Sequence, residues 1–181
     1  MPRLSRRSLL ALSSAAAVAT MVAPGMVLAA SGGTRRLTLQ NLHTGESLTT
    51  AYWEQGCYDS DALGAVARLC RDFRTGEVHP IDCNLLDLVH ALGRAVGGGK
   101  PVQLISAYRS PKSNAKLAAK SSGVAKRSLH MQGKAFDIRI PGVSARDIYK
   151  AALGLKGGGA GLYAKSNFVH VDTGRVRRWV G

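Results

Sequence analysis

Ser128-Leu-His-Met-Gln-Gly-Lys-Ala-Phe-Asp-Ile-Arg139 is the stretch around which the chain is organised. From Ala135 to Ile140 apolar and polar residues alternate, and a period of two is that of a β-strand. Phe136, Ile138 and Ile140 then share one face, and Ala135, Asp137 and Arg139 the other. An aspartate between apolar neighbours in a strand is costly to bury unless a cation or hydrogen-bond donors meet it. His130 lies just ahead, across a turn containing Gly133. Far downstream, Asn167-Phe-Val-His-Val-Asp-Thr173 alternates again, with Phe168, His170 and Asp172 on one face and Val169 and Val171 on the other. If the two strands pair, Asp137 and His170 share a sheet face and His130 reaches over from the loop. Two imidazoles and one carboxylate leave a fourth zinc position open for water, which is the ligand set of a catalytic rather than a closed structural site.

Outward from this pair of strands, Arg35 to Trp53 reads as a hairpin turning at His43-Thr-Gly-Glu46. Asp59 or Ser60 caps a helix over Asp61 to Phe73, and a second helix from about Asp82 to Val96 carries the core stripe Leu85, Leu88, Val89 and Leu92. Gly97-Gly-Gly99 ends it. Val102 to Ser106 is a short strand delivering Ala107-Tyr108-Arg109-Ser110, and Pro111 opens a helix reaching Ala119. Lys120 to Arg127 is a basic loop suited to the rim of a cleft. Ser144 caps a helix to Leu153, Gly157 to Gly161 forms a flexible turn, and Leu162-Tyr163 with Asn167 to Thr173 are the last strands. Glu77 and His79 belong to a packed loop, and His43 and His90 to the surface. The expected fold is α+β: a small antiparallel sheet carrying the metal site, with helices packed on one side.

Residues 1–30 read as a targeting segment, with Ser5-Arg6-Arg7-Ser8-Leu9-Leu10 a twin-arginine start, an Ala-rich apolar run, and small residues at Val27-Leu-Ala29 suited to cleavage. The run is broken by Ser13, Ser14, Thr20, Pro24 and Gly25, which makes it a poor membrane span. Residues 31–181 then form one domain, large enough to bury a core without disulfides. The leader carries Arg3, Arg6 and Arg7 and no acid, so its removal takes the formal charge from +14 to +11. No helix-turn-helix, zinc-finger or aromatic RNA-binding motif accompanies that charge. For an exported protein it points to an anionic cell wall or membrane surface rather than nucleic acid. Cys57, Cys70 and Cys83 leave either one bridged pair or buried free thiols open.

Ser128-x-His130-x-x-Gly133-x-Ala135-x-Asp137 followed by His170-x-Asp172 resembles the D-Ala-D-Ala metallopeptidases, which share one zinc-peptidase fold group with lysostaphin and the hedgehog domain. Ser106-Ala-Tyr-Arg109-Ser-Pro-x-x-Asn114 and Phe168-Val-His-Val-Asp-Thr-Gly-x-x-Arg-x-Trp179 are most similar to its YcbK-like branch. The resemblance runs from Leu37 to the C-terminus. It implies one Zn2+ ion on His130, Asp137 and His170, and an arginine, here Arg109, that binds substrate or stabilises the charge developing on the scissile carbonyl. Tyr108, Ser128 and Tyr163 are further candidate hydrogen-bonding groups for substrate. The wider family commonly carries an acid a few positions before the last histidine ligand. Here Asn167 stands there, and no acid precedes it back to Asp147. Asp172, on the face of His170, is the candidate general base, or else it orients a ligand histidine from behind.

The resemblance further implies a substrate in the peptide stems of peptidoglycan, cut at cross-links by an exported, periplasmic, monomeric murein endopeptidase in cell-wall remodelling. Arg109 and the basic rim would meet the carboxylates of D-amino acids or diaminopimelate. The alternatives are a D-Ala-D-Ala carboxypeptidase or dipeptidase, and a non-catalytic, zinc-containing peptidoglycan-binding module.

Overall fold

Eight strands form one sheet in the order β3-β2-β1-β4-β5-β7-β6-β8 in the computed structural model, which describes residues 33–120 and 123–181. The expected leader lies outside the described residues. In chain order the elements are β1 (Arg35–Asn41), β2 (Ser47–Glu54), β3 (Cys57–Tyr58), α1 (Ser60–Leu69), α2 (Cys83–Ala95), β4 (Val102–Ser106), α3 (Pro111–Lys120), a single 3-10 turn (Leu129–Gln132), β5 (Ala135–Arg139), α4 (Ala145–Leu155), β6 (Gly159–Tyr163), β7 (Phe168–Asp172) and β8 (Arg177–Val180).

The sheet is larger than expected, and it is mixed rather than antiparallel. β1 beside β4 and β6 beside β8 run parallel, while the remaining neighbours are antiparallel. α1 and α2 intervene between β3 and β4 and allow the chain to re-enter beside β1 in the same direction, as a parallel neighbour requires. β6 corrects the expected flexible turn at Gly157 to Gly161. Its glycines mark close packing: a Cβ on Gly161 would fall on the indole of Trp179, and one on Gly159 on the side chains of Arg177 and Asp172.

The alternation in β5 and β7 sorts their side chains as expected. Phe136, Ile138, Val169 and Val171 are fully buried in the core, with Leu104 of β4 and Leu39 of β1. Covering this face are Val66 of α1, Leu85, Leu86, Val89 and Leu92 of α2, and Ile148 and Ala152 of α4. On α2, Leu88 is only partly buried and Leu86 takes its place in the core. Asp59, Asp82 and Ser144 cap the three helices, each side chain accepting a hydrogen bond from a first-turn N–H. α1 ends at Leu69, short of the expected Phe73, because Asp72 turns inward and takes hydrogen bonds from the Ser110 N–H and hydroxyl at 2.9 and 2.6 Å.

α3 corrects the expectation that the helices share one side: none of its residues joins the core, and its Leu117 lines a cleft instead. All three cysteines are free thiols, with Cys70 buried.

Candidate metal centre

The site lies on the sheet face opposite the core, and it begins with the local structure around His130. Ser128 caps the 3-10 turn, and Gly133 closes it in the left-handed region at φ 64°. A side chain on Gly133 would be strained there and would collide with the Pro80 carbonyl, so the turn needs glycine. The turn buries His130, whose Nδ1–H donates to the Ala107 carbonyl at 2.7 Å, while the Arg109 N–H returns a bond to the His130 carbonyl at 3.2 Å. With Nδ1 so engaged, the lone pair of Nε2 faces the sheet.

Asp137 and His170 are directly paired residues of β5 and β7. His170 Nδ1 lies 2.9 Å from Asp137 Oδ1, and His130 Nε2 lies 3.3 Å from His170 Nδ1 and 3.4 Å from Asp137 Oδ1. One ligand atom from each of the three falls within 4.8 Å of the others. On its far side His170 Nε2–H donates to Asp172 Oδ2 at 2.9 Å. Each imidazole thus gives one N–H to a fixed acceptor and turns its other nitrogen towards Asp137, the arrangement by which outer partners fix a metal-ligating histidine. With Nε2–H given to Asp172, the Nδ1 of His170 faces Asp137 Oδ1 at 2.9 Å, where either a proton or a metal ion can be met. The residues fit a metal ion.

Charge shifts follow from the same contacts. Burial would lower the pKa of His170, but hydrogen bonds to Asp137 and Asp172 outweigh it and push the imidazole up to about 9. Burial would raise Asp137, yet attraction and hydrogen bonding from His130 and His170 hold it well below the usual carboxylate range.

Asp172 stands behind this set and is not among the cleft-lining residues, a placement that suits the second expected role, orienting a ligand histidine. It is fully buried, and besides His170 it accepts from the Gly159 and Gly174 N–H groups at 3.0 and 2.8 Å and from both Arg177 Nη atoms at 3.0 and 2.7 Å. Burial opposes its ionisation, but the bonds from His170, Arg177 and the backbone win and lower its pKa. Every site for accepting a proton is occupied, so its geometry is that of a group orienting His170.

Arg109 lies beside the cluster, with Nη2 3.9 Å from Asp137 Oδ2. Its fork is held by the Asn114 Oδ1 acceptor at 3.2 Å and the Ser106 hydroxyl at 3.1 Å, while Asn114 Nδ2 donates to the Ala125 carbonyl at 3.1 Å. That explains the spacing from Arg109 to Asn114: one turn of α3 carries the clamp. Arg109 is 9% exposed, and its Nε has no hydrogen-bond partner among the described residues.

A cleft of about 640 Å³ opens over the cluster. Arg74, Arg109, Arg127, Ser128, Tyr163 and Trp179 are among its lining residues. Tyr108 is not: it is buried, stacks on His79 at 4.7 Å and donates its hydroxyl to Glu77. Glu77 and His79 are therefore packing partners of Tyr108, as expected for that loop. Ser128 acts as the turn's cap, and Tyr163 stacks on Phe168 at 4.5 Å while its hydroxyl accepts from Trp179 Nε1 at 3.1 Å.

Sequence reasoning missed four contributors. His43 lines the cleft, donating Nε2–H to the Ile105 carbonyl at 2.8 Å and stacking on Phe73 at 3.8 Å. Trp179 packs against His170 at 5.2 Å. Arg177 locks Asp172, and Asp72 anchors Ser110 next to Arg109. The arginine and tryptophan stand in the closing motif, so a signal existed; for Asp72 none did.

A His–Asp–His set with its acceptor atoms turned together, His130 and Asp137 buried and His170 partly so, flanked by a buried arginine at the foot of a cleft, defines the candidate site of a metal-dependent hydrolase. The chain belongs to a D-Ala-D-Ala peptidase-like family described as peptidoglycan L,D-endopeptidase MepK, whose model matches residues 29–179. It is 43% identical over 176 residues to the peptidoglycan L,D-endopeptidase MepK of Escherichia coli strain K12, covering 97% of each chain. It is 40% identical over 148 residues to the probable peptidoglycan L,D-endopeptidase MepK of Haemophilus influenzae, covering 81% of this chain and 80% of that one. No solved structure matches it at a significant level.

Proposed function

We propose that this protein is a zinc-dependent murein endopeptidase that hydrolyses an L,D-peptide bond in the cross-links of peptidoglycan. The observation that carries the reading is the convergence of His130 Nε2, His170 Nδ1 and an Asp137 oxygen, each histidine held in the required tautomer by a partner on its other nitrogen. Zinc bound by these three would supply a Lewis acid for the scissile carbonyl and lower the pKa of a water towards about 7.

The rest is done by the chain. Asp172, locked by Arg177, keeps the His170 ring in place. Arg109 stays cationic despite burial, because a guanidinium does not deprotonate in proteins. Its fork, held by Asn114 and Ser106 at the edge of the cleft, gives it preorganised donors for an oxygen that gains negative charge. Arg74 and Arg127 on the cleft wall face a substrate rich in carboxylates. The Tyr163 and Trp179 rings supply an apolar wall beside His170. Residues 1–30, read as a twin-arginine leader, would carry the protein to the periplasm, where that substrate is found.

Digestion of purified cross-linked muropeptides, followed by chromatography and mass spectrometry, tests the reading. Dimers should resolve into monomers with metal and not after chelation. Release of only a terminal D-Ala would instead make it a carboxypeptidase. No cleavage by protein holding one equivalent of zinc would make it a binding module.

A further inference from the structure

Between Asp87 and Asp137 the chain carries nine lysines and arginines and no acid. Three of them, Lys112, Lys116 and Lys120, recur every fourth residue on α3 and so form one stripe, roughly 12 Å long at the helical rise. All three are exposed, while Ser113 and Asn114 on the adjoining face are buried against the Arg109 clamp and Leu117 lines the cleft. Like charges four apart destabilise a helix, and α3 holds three without a compensating acid. Among the described residues none of the three takes part in an ion pair. Beyond α3 the exposed Lys126 and Arg127 continue the basic track, and Arg127 lines the cleft itself.

We propose that this α3 ridge is a docking surface for the carboxylate-bearing stems of intact peptidoglycan, holding the polymer beside the cleft before a bond enters it. The inference rests on the murein reading above. The chemistry divides the work. Lysines on flexible stems are mobile point charges that suit a disordered polyanion, whereas the clamped Arg109 fork suits one fixed group. A ridge of exposed ammonium groups captures through a field that salt screens over about 8 Å at physiological strength, so docking is salt-sensitive and cleavage of a small fragment in the cleft is not. A polymer is the fitting partner because only a repeating anion spans the ridge and the cleft together.

The experiment is co-sedimentation of the protein with purified sacculi across a salt series, comparing wild type with Lys112→Gln/Lys116→Gln, which leaves the basic rim from Lys120 onward intact. Digestion of soluble cross-linked muropeptides runs in parallel. The expected result is sacculus binding weakened roughly fivefold at low salt, as for the loss of two exposed ionic contacts, with soluble turnover unchanged. Sacculi whose carboxylates have been amidated should bind wild type as weakly as normal sacculi bind the variant. Equal sacculus binding by wild type and variant would overturn the proposal. So would binding to phosphatidylglycerol vesicles with none to sacculi, which would make the ridge a membrane contact. Failure of the wild type to cut soluble muropeptides, with the ridge effect intact, would remove the hydrolase reading and leave the docking surface standing.

Discussion

Asp137 and His170 face one another across β5 and β7 as a paired rung, with 2.9 Å between Oδ1 and Nδ1. The rung continues in both directions. Ser106 pairs with Asp137 on one side, and Gly161 then Trp179 follow His170 on the other. Arg109 is tied to Ser106 at one end, and the Trp179 indole covers Gly161 and reaches His170 at the other. One line across five strands therefore sets two of the candidate metal ligands, the arginine and the aromatic wall relative to each other.

His130→Ala, Asp137→Asn and His170→Ala should each abolish tight zinc binding. Each should lower muropeptide cleavage roughly a thousandfold or more, since the Lewis acid and its water are lost together. Metal content by atomic spectroscopy and a digestion assay check both halves. Full activity in any one of the three would remove that residue from the ligand set.

Asp172→Asn separates orientation from proton transfer. If Asp172 holds His170, zinc affinity falls about 10- to 100-fold, and excess zinc restores much of the rate. A general base would instead show a fall in kcat that zinc does not restore. Chelator competition alongside kcat at saturating metal distinguishes the two.

Arg109→Lys keeps a positive charge but loses the fork that meets Asn114 and Ser106. The expected result is a loss of about 10²- to 10³-fold in kcat, of the size seen when one preorganised donor is removed, with zinc content unchanged. A change confined to KM would assign Arg109 to ground-state binding alone.

Asp72 predicts an acid limit to stability. Burial would raise its pKa, but hydrogen bonds from Ser110, Ser113 and the Arg74 N–H lower it from 3.8 to about 2. A folded pKa below the unfolded one means that the stabilisation is complete above the unfolded value. It is lost as the pH falls from about 3.8 through about 2, and amounts to about 2 kcal/mol. Asp72→Ala should therefore lower the Tm at pH 7 and flatten its decline in acid. An unchanged acid slope would show that other carboxylates dominate.

Gly161→Ala should push the Trp179 indole off His170, because the added methyl occupies the indole's place. Intrinsic fluorescence should shift to the red as the ring is exposed, and KM should rise more than kcat falls. Trp179→Phe should retain more activity than Trp179→Ala. Identical kinetics in all three would deny the wall a part in binding.

Much of the site could be read in the chain because its chemistry is local. The alternation over Ala135–Ile140 and Asn167–Thr173 gave the faces of β5 and β7, and the turn at Gly133 delivered His130 to them. The capping residues Asp59 and Ser144 marked two helix starts, each acting within its own first turn. Leu162-Tyr163 was legible as strand, but the first half of β6 was hidden because Gly159 and Gly161 offer no alternation to read. Their reason lies in Arg177, Asp172 and Trp179, which are distant in sequence. Tyr108 stood in the right motif and turned away, because Glu77 and His79 gave its hydroxyl and ring a partner inside the loop.

Residue type and spacing by themselves determined the candidate ligand set, the strands that carry it and the arginine beside it, since periodicity and donor chemistry are written in order along the chain. Tertiary structure alone decided that Asp172 lies behind His170 and not in the cleft. Both residues share a strand face, and only the arrival of Arg177, Gly159 and Gly174 fills the oxygens of Asp172 and buries it. It also decided the parallel edges of the sheet and the position of α3 on the cleft wall, because long-range packing is not encoded in any local period.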